Sequence, residues 1–161
     1  MRQLILSLTV LLLGSAASTM AGPGVWTSTG PEGGSVYGIT VDPDRPDTIF
    51  LQGTAAVYRS TNTGVSWERL NIAPHASTVS PVRISPHDSD LMMVSAFSQV
   101  FRSTDGGDNW SPVGGGLASP ANIYQLGFDP VVPGRVWAVG PGSVWSSPDN
   151  GDTWTPLPGT G

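Results

Sequence analysis

The chain has no cysteine and no lysine. An oxidising compartment would add no disulfide, which argues against a disulfide-dense extracellular module. All seven cations are arginines, outnumbered by twelve carboxylates. No basic stripe results, so the electrostatic footprint of a nucleic-acid-binding protein is missing. A convincing helical period is also missing outside the extreme N-terminus. The apolar run Leu4–Leu13 is about half as long as the ~20 residues a bilayer span needs. With Met1-Arg2 ahead of it and small residues up to Ala21, it predicts a secretory signal peptide over residues 1–21, cleaved after Ala21 or Ala17. The expectation is bacterial-type export to the periplasm or the medium. No cysteine lies near that site to carry a lipid, so no stable membrane anchor is expected.

Glycine and proline are plentiful, 21 and 15 residues, but they fall in regularly spaced turns. That distribution means many loops rather than disorder. The turns belong to a repeat with the signature Ser-x-(Asp/Asn)-x-Gly-x-x-Trp. Its copies run from Ser60 through Asn62 and Gly64 to Trp67, from Ser103 through Asp105 and Gly107 to Trp110, and from Ser147 through Asp149 and Gly151 to Trp154. The match extends upstream without a gap: Ile39, Val82 and Leu126 coincide, as do Pro43, Pro86 and Pro130. So do Ile49, Met92 and Val136, then Val57, Val100 and Val144, then Tyr58, Phe101 and Trp145.

Each unit reads as four short β-branched and aromatic strands, in the first about Val36–Val41, Thr48–Gln52, Ala56–Thr61 and Ser66–Leu70. Four strands per unit of this length is the arithmetic of a propeller blade. The fold class is therefore all-β. Three four-stranded antiparallel blades are expected over about 36–70, 79–113 and 123–157, within a segment spanning 22–161. Closed propellers carry about four to eight blades, so three imply an incomplete ring or one closed by further blades or self-association.

The signature has a turn mechanism. Asp or Asn at its third position accepts backbone N–H bonds from residues just ahead. Glycine two places on allows φ > 0, and tryptophan buries a large ring as the next strand opens. With these residues the chain resembles the Asp-box, or bacterial neuraminidase repeat, β-propellers. The superfamily includes sialidases, xyloglucan-cleaving glycoside hydrolases, sortilin-like receptors and photosystem assembly factors. The stretch from Val41-Asp42-Pro43 to Tyr58-Arg59-Ser60 is more similar to the last three groups.

The resemblance implies that the hairpins occupy one face and that ligands use the other. That second face would comprise Gly53–Ala56, Ala96–Gln99 and Gly140–Ser143, with connections 71–80 and 114–122. Those loops and connections hold no carboxylate, and only Glu32, ahead of the first strand, remains for that face, whereas glycoside hydrolysis usually takes two. Asp42, Asp44, Asp47, Asp88, Asp90 and Asp129 are expected in first-to-second strand loops on the hairpin face. Gly53 stands where xyloglucan-cleaving relatives carry an acid, and the sialidase Arg-Ile-Pro motif is absent. No catalytic residue, metal ligand set or cofactor is expected. His87, Asp88 and Asp90 match no ligand spacing, and the paired hairpin aspartates lack the pattern of a calcium loop. Arg83, on an innermost strand, is a candidate anion-binding residue or one half of a local salt bridge. His75, Phe97 and Gln99 form a candidate recognition patch. The sequence favours a non-catalytic binding or assembly role toward a protein or carbohydrate. Its rival is an N-terminal fragment of a secreted glycoside hydrolase, xyloglucanase- or sialidase-like.

Overall fold

A computed structural model describes residues 30, 35–54, 56–72, 80–96, 99–117 and 123–158. The predicted signal peptide, Glu32, His75 and Phe97 lie outside these residues. The described chain is all-β, with twelve strands in three four-stranded antiparallel sheets and no helix. The first sheet holds β1 (Val36–Val41), β2 (Ile49–Gly53), β3 (Val57–Ser60) and β4 (Glu68–Arg69). The second holds β5 (Arg83–Ser85), β6 (Asp88–Ala96), β7 (Gln99–Ser103) and β8 (Ser111–Val113). The third holds β9 (Gln125–Phe128), β10 (Val136–Gly140), β11 (Ser143–Ser147) and β12 (Thr155–Pro156). Strands follow one another in order across each sheet, as in propeller blades.

Two differences from the sequence expectation have local causes. The outer strand β4 is two residues long, not five, because the Ser66 backbone N–H donates to Asn62 Oδ1 inside the preceding turn. Asp88 and Asp90 sit in β6, not in a loop. The pairing of Ser85 with Asp88 makes a tight turn there, with a register shift between Ile84 and Ser85.

Two apolar clusters fill the seams between sheets. Phe50, Val57 and Ile72 of the first repeat pack against Val82, Met92, Val94 and Ala96 of the second. Met93 and Val100 pack in turn against Leu126, Val136, Ala138, Trp145 and Trp154 of the third. Alternation explains this: successive residues of one strand, such as Met92 and Met93, enter opposite seams. A strand buried on both faces is largely apolar; β6 is wholly buried from Leu91 to Ala96, and its one polar residue there, Ser95, donates its hydroxyl to Ile123 O.

Candidate functional site

Antiparallel order puts the β1–β2 and β3–β4 turns at one edge of a sheet and the β2–β3 turn at the other. On the hairpin edge the serine of each signature does most of the work. Ser60 Oγ accepts from the Asn62 and Gly64 N–H groups at 3.3 and 2.8 Å and donates to Asn62 Oδ1. Ser103 does the same for Asp105 and Gly107, and Ser147 for Asp149 and Gly151. The carboxylate or amide then accepts the N–H four residues ahead, from Ser66, Asn109 or Thr153, at 2.9 Å each. Gly64, Gly107 and Gly151 have φ of 86°, 95° and 85°. Their carbonyls accept the indole Nε1–H of Trp67, Trp110 and Trp154 at 3.1, 2.9 and 2.9 Å. The rings are not equivalent in burial: Trp154 is buried, whereas Trp67 and Trp110 are half-buried.

These bonds stabilise the charged carboxylates. The Asp105 carboxyl is lowered from 3.8 to about 2, chiefly by the Asn109 backbone N–H, then by the Asn109 side chain and Ser103. Asp149 is lowered by the Thr153 hydroxyl and backbone N–H. A second turn device, unnoticed in the sequence, repeats on the same edge. Asp42 Oδ1 accepts from the Asp44 and Arg45 N–H groups, Ser85 Oγ from His87, and Asp129 Oδ1 from Val131 and Val132. The two backbone bonds are also what lowers the Asp129 carboxyl. Its sequence signal was the Asp-Pro pair at Asp42-Pro43 and Asp129-Pro130, matched by Ser85-Pro86.

Arginines join the hairpins across the seams. Arg59 Nη1 bonds Gly106 O at 3.0 Å and Asp108 at 2.7 Å. One repeat on, Arg102 Nη1 bonds Asn150 O at 2.9 Å and Asp152 at 2.8 Å. Arg45 reaches Asp90 at 2.8 Å and Ser89 O at 3.0 Å. His87 Nε2 lies 3.0 Å from Asp129 O; a carbonyl only accepts, so this nitrogen carries the proton. Among the described residues no three His, Asp or Glu side chains are gathered as a metal site.

Arg83, expected to bind an anion or to form half of a salt bridge, bonds a backbone carbonyl. It is half-buried on β5, and its Nε donates to Leu126 O of β9 at 3.0 Å. No described carboxylate pairs with it. An innermost strand brings the side chain to the next blade's backbone, while the aspartates gather at the hairpin edge out of its reach. Thr40 makes the same contact one repeat earlier, to Val82 O at 2.8 Å. Gln99 is exposed at the start of β7, opposite Ala96. The structure brings none of the other candidate patch residues to Gln99, since His75 and Phe97 lie outside the described residues.

Carboxylate use differs between the two edges. Among the described residues every carboxylate except Asp44 and Asp47 accepts a hydrogen bond or ion pair of the turns, strands or seams described here. The described part of the opposite edge, Gly53, Thr54, Ala56, Ala96, Gln99 and Gly140–Ser143, contains none.

Fold and repeated seams together define a class, a run of β-propeller blades. No family profile and no curated protein sequence matches the chain. Among solved structures it is similar to an ancestral GH74 enzyme, with TM-score 0.68 and 22% identity over 77% of this chain and 18% of that one. It is also similar to YCF48 from Cyanidioschyzon merolae, with TM-score 0.59 and 23% identity over 77% of this chain and 37% of that one. A third is YCF48 bound to D1 peptide, with TM-score 0.58 and 16% identity over 77% and 39% of the two chains. The chain spans 18% to 39% of the length of these structures. Such identities speak for the fold and leave the activity open.

Proposed function

We propose that this chain is an exported Asp-box propeller segment with a non-catalytic binding role, taking a peptide or glycan on the edge opposite the signature hairpins. The supporting observation is the carboxylate distribution: the acids serve turns and seams on the hairpin edge, and the described opposite edge has none. A retaining or inverting glycosidase needs two carboxyl groups, about 5 to 10 Å apart, flanking the bond. A binding role toward a polypeptide also accords with the similar fold of YCF48 bound to D1 peptide. Arg83, half-buried and without a described carboxylate partner, suits the carboxylate or carbonyl groups of such a ligand.

A second reading, a portion of a glycoside hydrolase whose catalytic acids lie elsewhere, is favoured by the 0.68 TM-score to the GH74 enzyme. The full chain, expressed with its own N-terminal segment, is titrated calorimetrically against a peptide library and against xyloglucan oligosaccharides. The same oligosaccharides are assayed for new reducing ends. Saturable binding without new reducing ends is the expected result. Reducing ends released by the chain alone would overturn the non-catalytic role, and binding of neither class would overturn the recognition role.

A further inference from the structure

The two internal seams share one construction, and the outer faces of the first and third sheets are its two unused halves. Ile39 is 65% exposed on β1, while its equivalents Val82 and Leu126 are each 2% exposed inside a seam. Val41 is half exposed, whereas its equivalents Ile84 and Phe128 pack on the clusters. At the other end, Trp137 takes the position of buried Phe50 and Met93, yet its described contact is the Arg135 guanidinium stacked 5.9 Å from the ring.

The polar contacts of the seams are lost at both ends in a matched way. Across the internal seams Thr40 and Arg83 donate to the next repeat, as do Arg45, His87 and Ser95, and finally Arg59 and Arg102. In the third sheet the same positions read Gly127, Val131, Val132, Val139 and Ser146. Val131 is 79% and Val139 41% exposed. On the first sheet, Val65, 69% exposed, takes the place of Asp108 and Asp152, which receive the arginines elsewhere. Asp47, in the place of Asp90, is exposed at the rim.

We propose that the free face of the third sheet seats on the free face of the first sheet of a second copy, head to tail, through an apolar seam with Ser146 opposite Val65. Both halves of a repeated interface are present on one chain, so the contact is heterologous and continues the internal seams. The matched losses favour this occupant. A foreign blade carrying the repeat's aspartate would strand that charge against Ser146, and one carrying its arginine would set it on Val65. Ser146 against Val65 leaves no charge unpaired between the hairpins, and Asp47, whose counterpart position reads Val132, keeps its exposed place at the rim.

The mass of the full chain is measured by light scattering across micromolar concentrations. Two or more copies are expected. Ile39→Lys and Val139→Lys change exposed positions, so each variant keeps the parent's near-UV tryptophan signal while its mass falls to that of one copy. Val65→Asp combined with Ser146→Arg installs the internal ion pair at the new seam. It is expected to tighten association roughly two- to fivefold, a gain erased at about 0.5 M salt. A single-copy mass for the parent at every concentration would overturn the proposal, as would association that both lysine variants leave unchanged.

Discussion

Serine at the head of each signature shows how a recurring residue acquires a reason only in three dimensions. The aspartate, glycine and tryptophan each carried a mechanism in the sequence, because turn acceptors, positive φ and ring burial are properties of the residue type. The serine did not. Its hydroxyl bonds two backbone N–H groups and the neighbouring carboxylate at once, a geometry that exists only once the turn is closed. Thr63, a β-branched residue at φ 54°, holds a left-handed position that such residues rarely occupy. Its N–H bond to Asp47 O at 3.0 Å contributes to holding it there. The acid sensitivity of the chain belongs to this scale. Folding lowers the Asp105 carboxyl from 3.8 to about 2. Stability from a depressed carboxylate is present above the unfolded value and lost as pH falls through the folded one. The chain is therefore expected to keep its urea midpoint down to about pH 4 and to lose stability between about pH 4 and 2. Asp105→Asn should flatten that limb while keeping the turn, since Asn62 already accepts the same backbone bond without charge. Urea midpoints from about pH 5 to 2 check it.

Strands were the most legible elements, because alternating β-branched and aromatic runs between turn residues are read directly from the chain. Their ends were less so. β4 shortened because its first residues were claimed by a side-chain turn, and β6 began early because Ser85 and Asp88 pair directly. The connection after β8 was not legible at all. Gly115 bridges the outer edge of the third sheet, donating to Asp152 O at 3.0 Å and accepting from the Trp154 N–H at 2.8 Å. Gly116 follows with φ 92°, and a Cβ there would lie 2.5 Å from Trp154 O. Gly116→Ala is expected to cost on the order of 1–3 kcal/mol from the backbone alone, and more as Trp154 is displaced. Thermal unfolding together with the near-UV tryptophan signal measures both effects; an unchanged melting temperature would mean that the connection is not held in this way.

At the scale of the whole molecule, three sheets act together only through their seams. Each seam combines an apolar cluster with an arginine fastened to the next hairpin. Arg102→Met should leave the third sheet less tightly held, by about 1 kcal/mol given its part-exposed ion pair. Hydrogen exchange would then show earlier loss of protection in β9–β12 than in β1–β4; equal loss everywhere would refute a local role. The sequence by itself determined the all-β class, the repeat unit and the chemistry of its turns, since these follow from residue type and short-range spacing. Only the tertiary structure decided what the arginines do. Arg59 and Arg102 could be recognised as equivalent, and Arg59 also holds Glu68 on the neighbouring strand, but the carbonyls they reach across the seams lie 47 and 48 residues away. Arg83 turned to a backbone carbonyl 43 residues on rather than to an aspartate. The pairing of a long, flexible cation is set by which neighbours the packed sheets bring within hydrogen-bond reach, and that proximity is not written in local sequence. The same holds for the exposure of Ile39 and the burial of Val82: β-branched apolar residues in equivalent places, separated only by whether a neighbouring sheet lies against them.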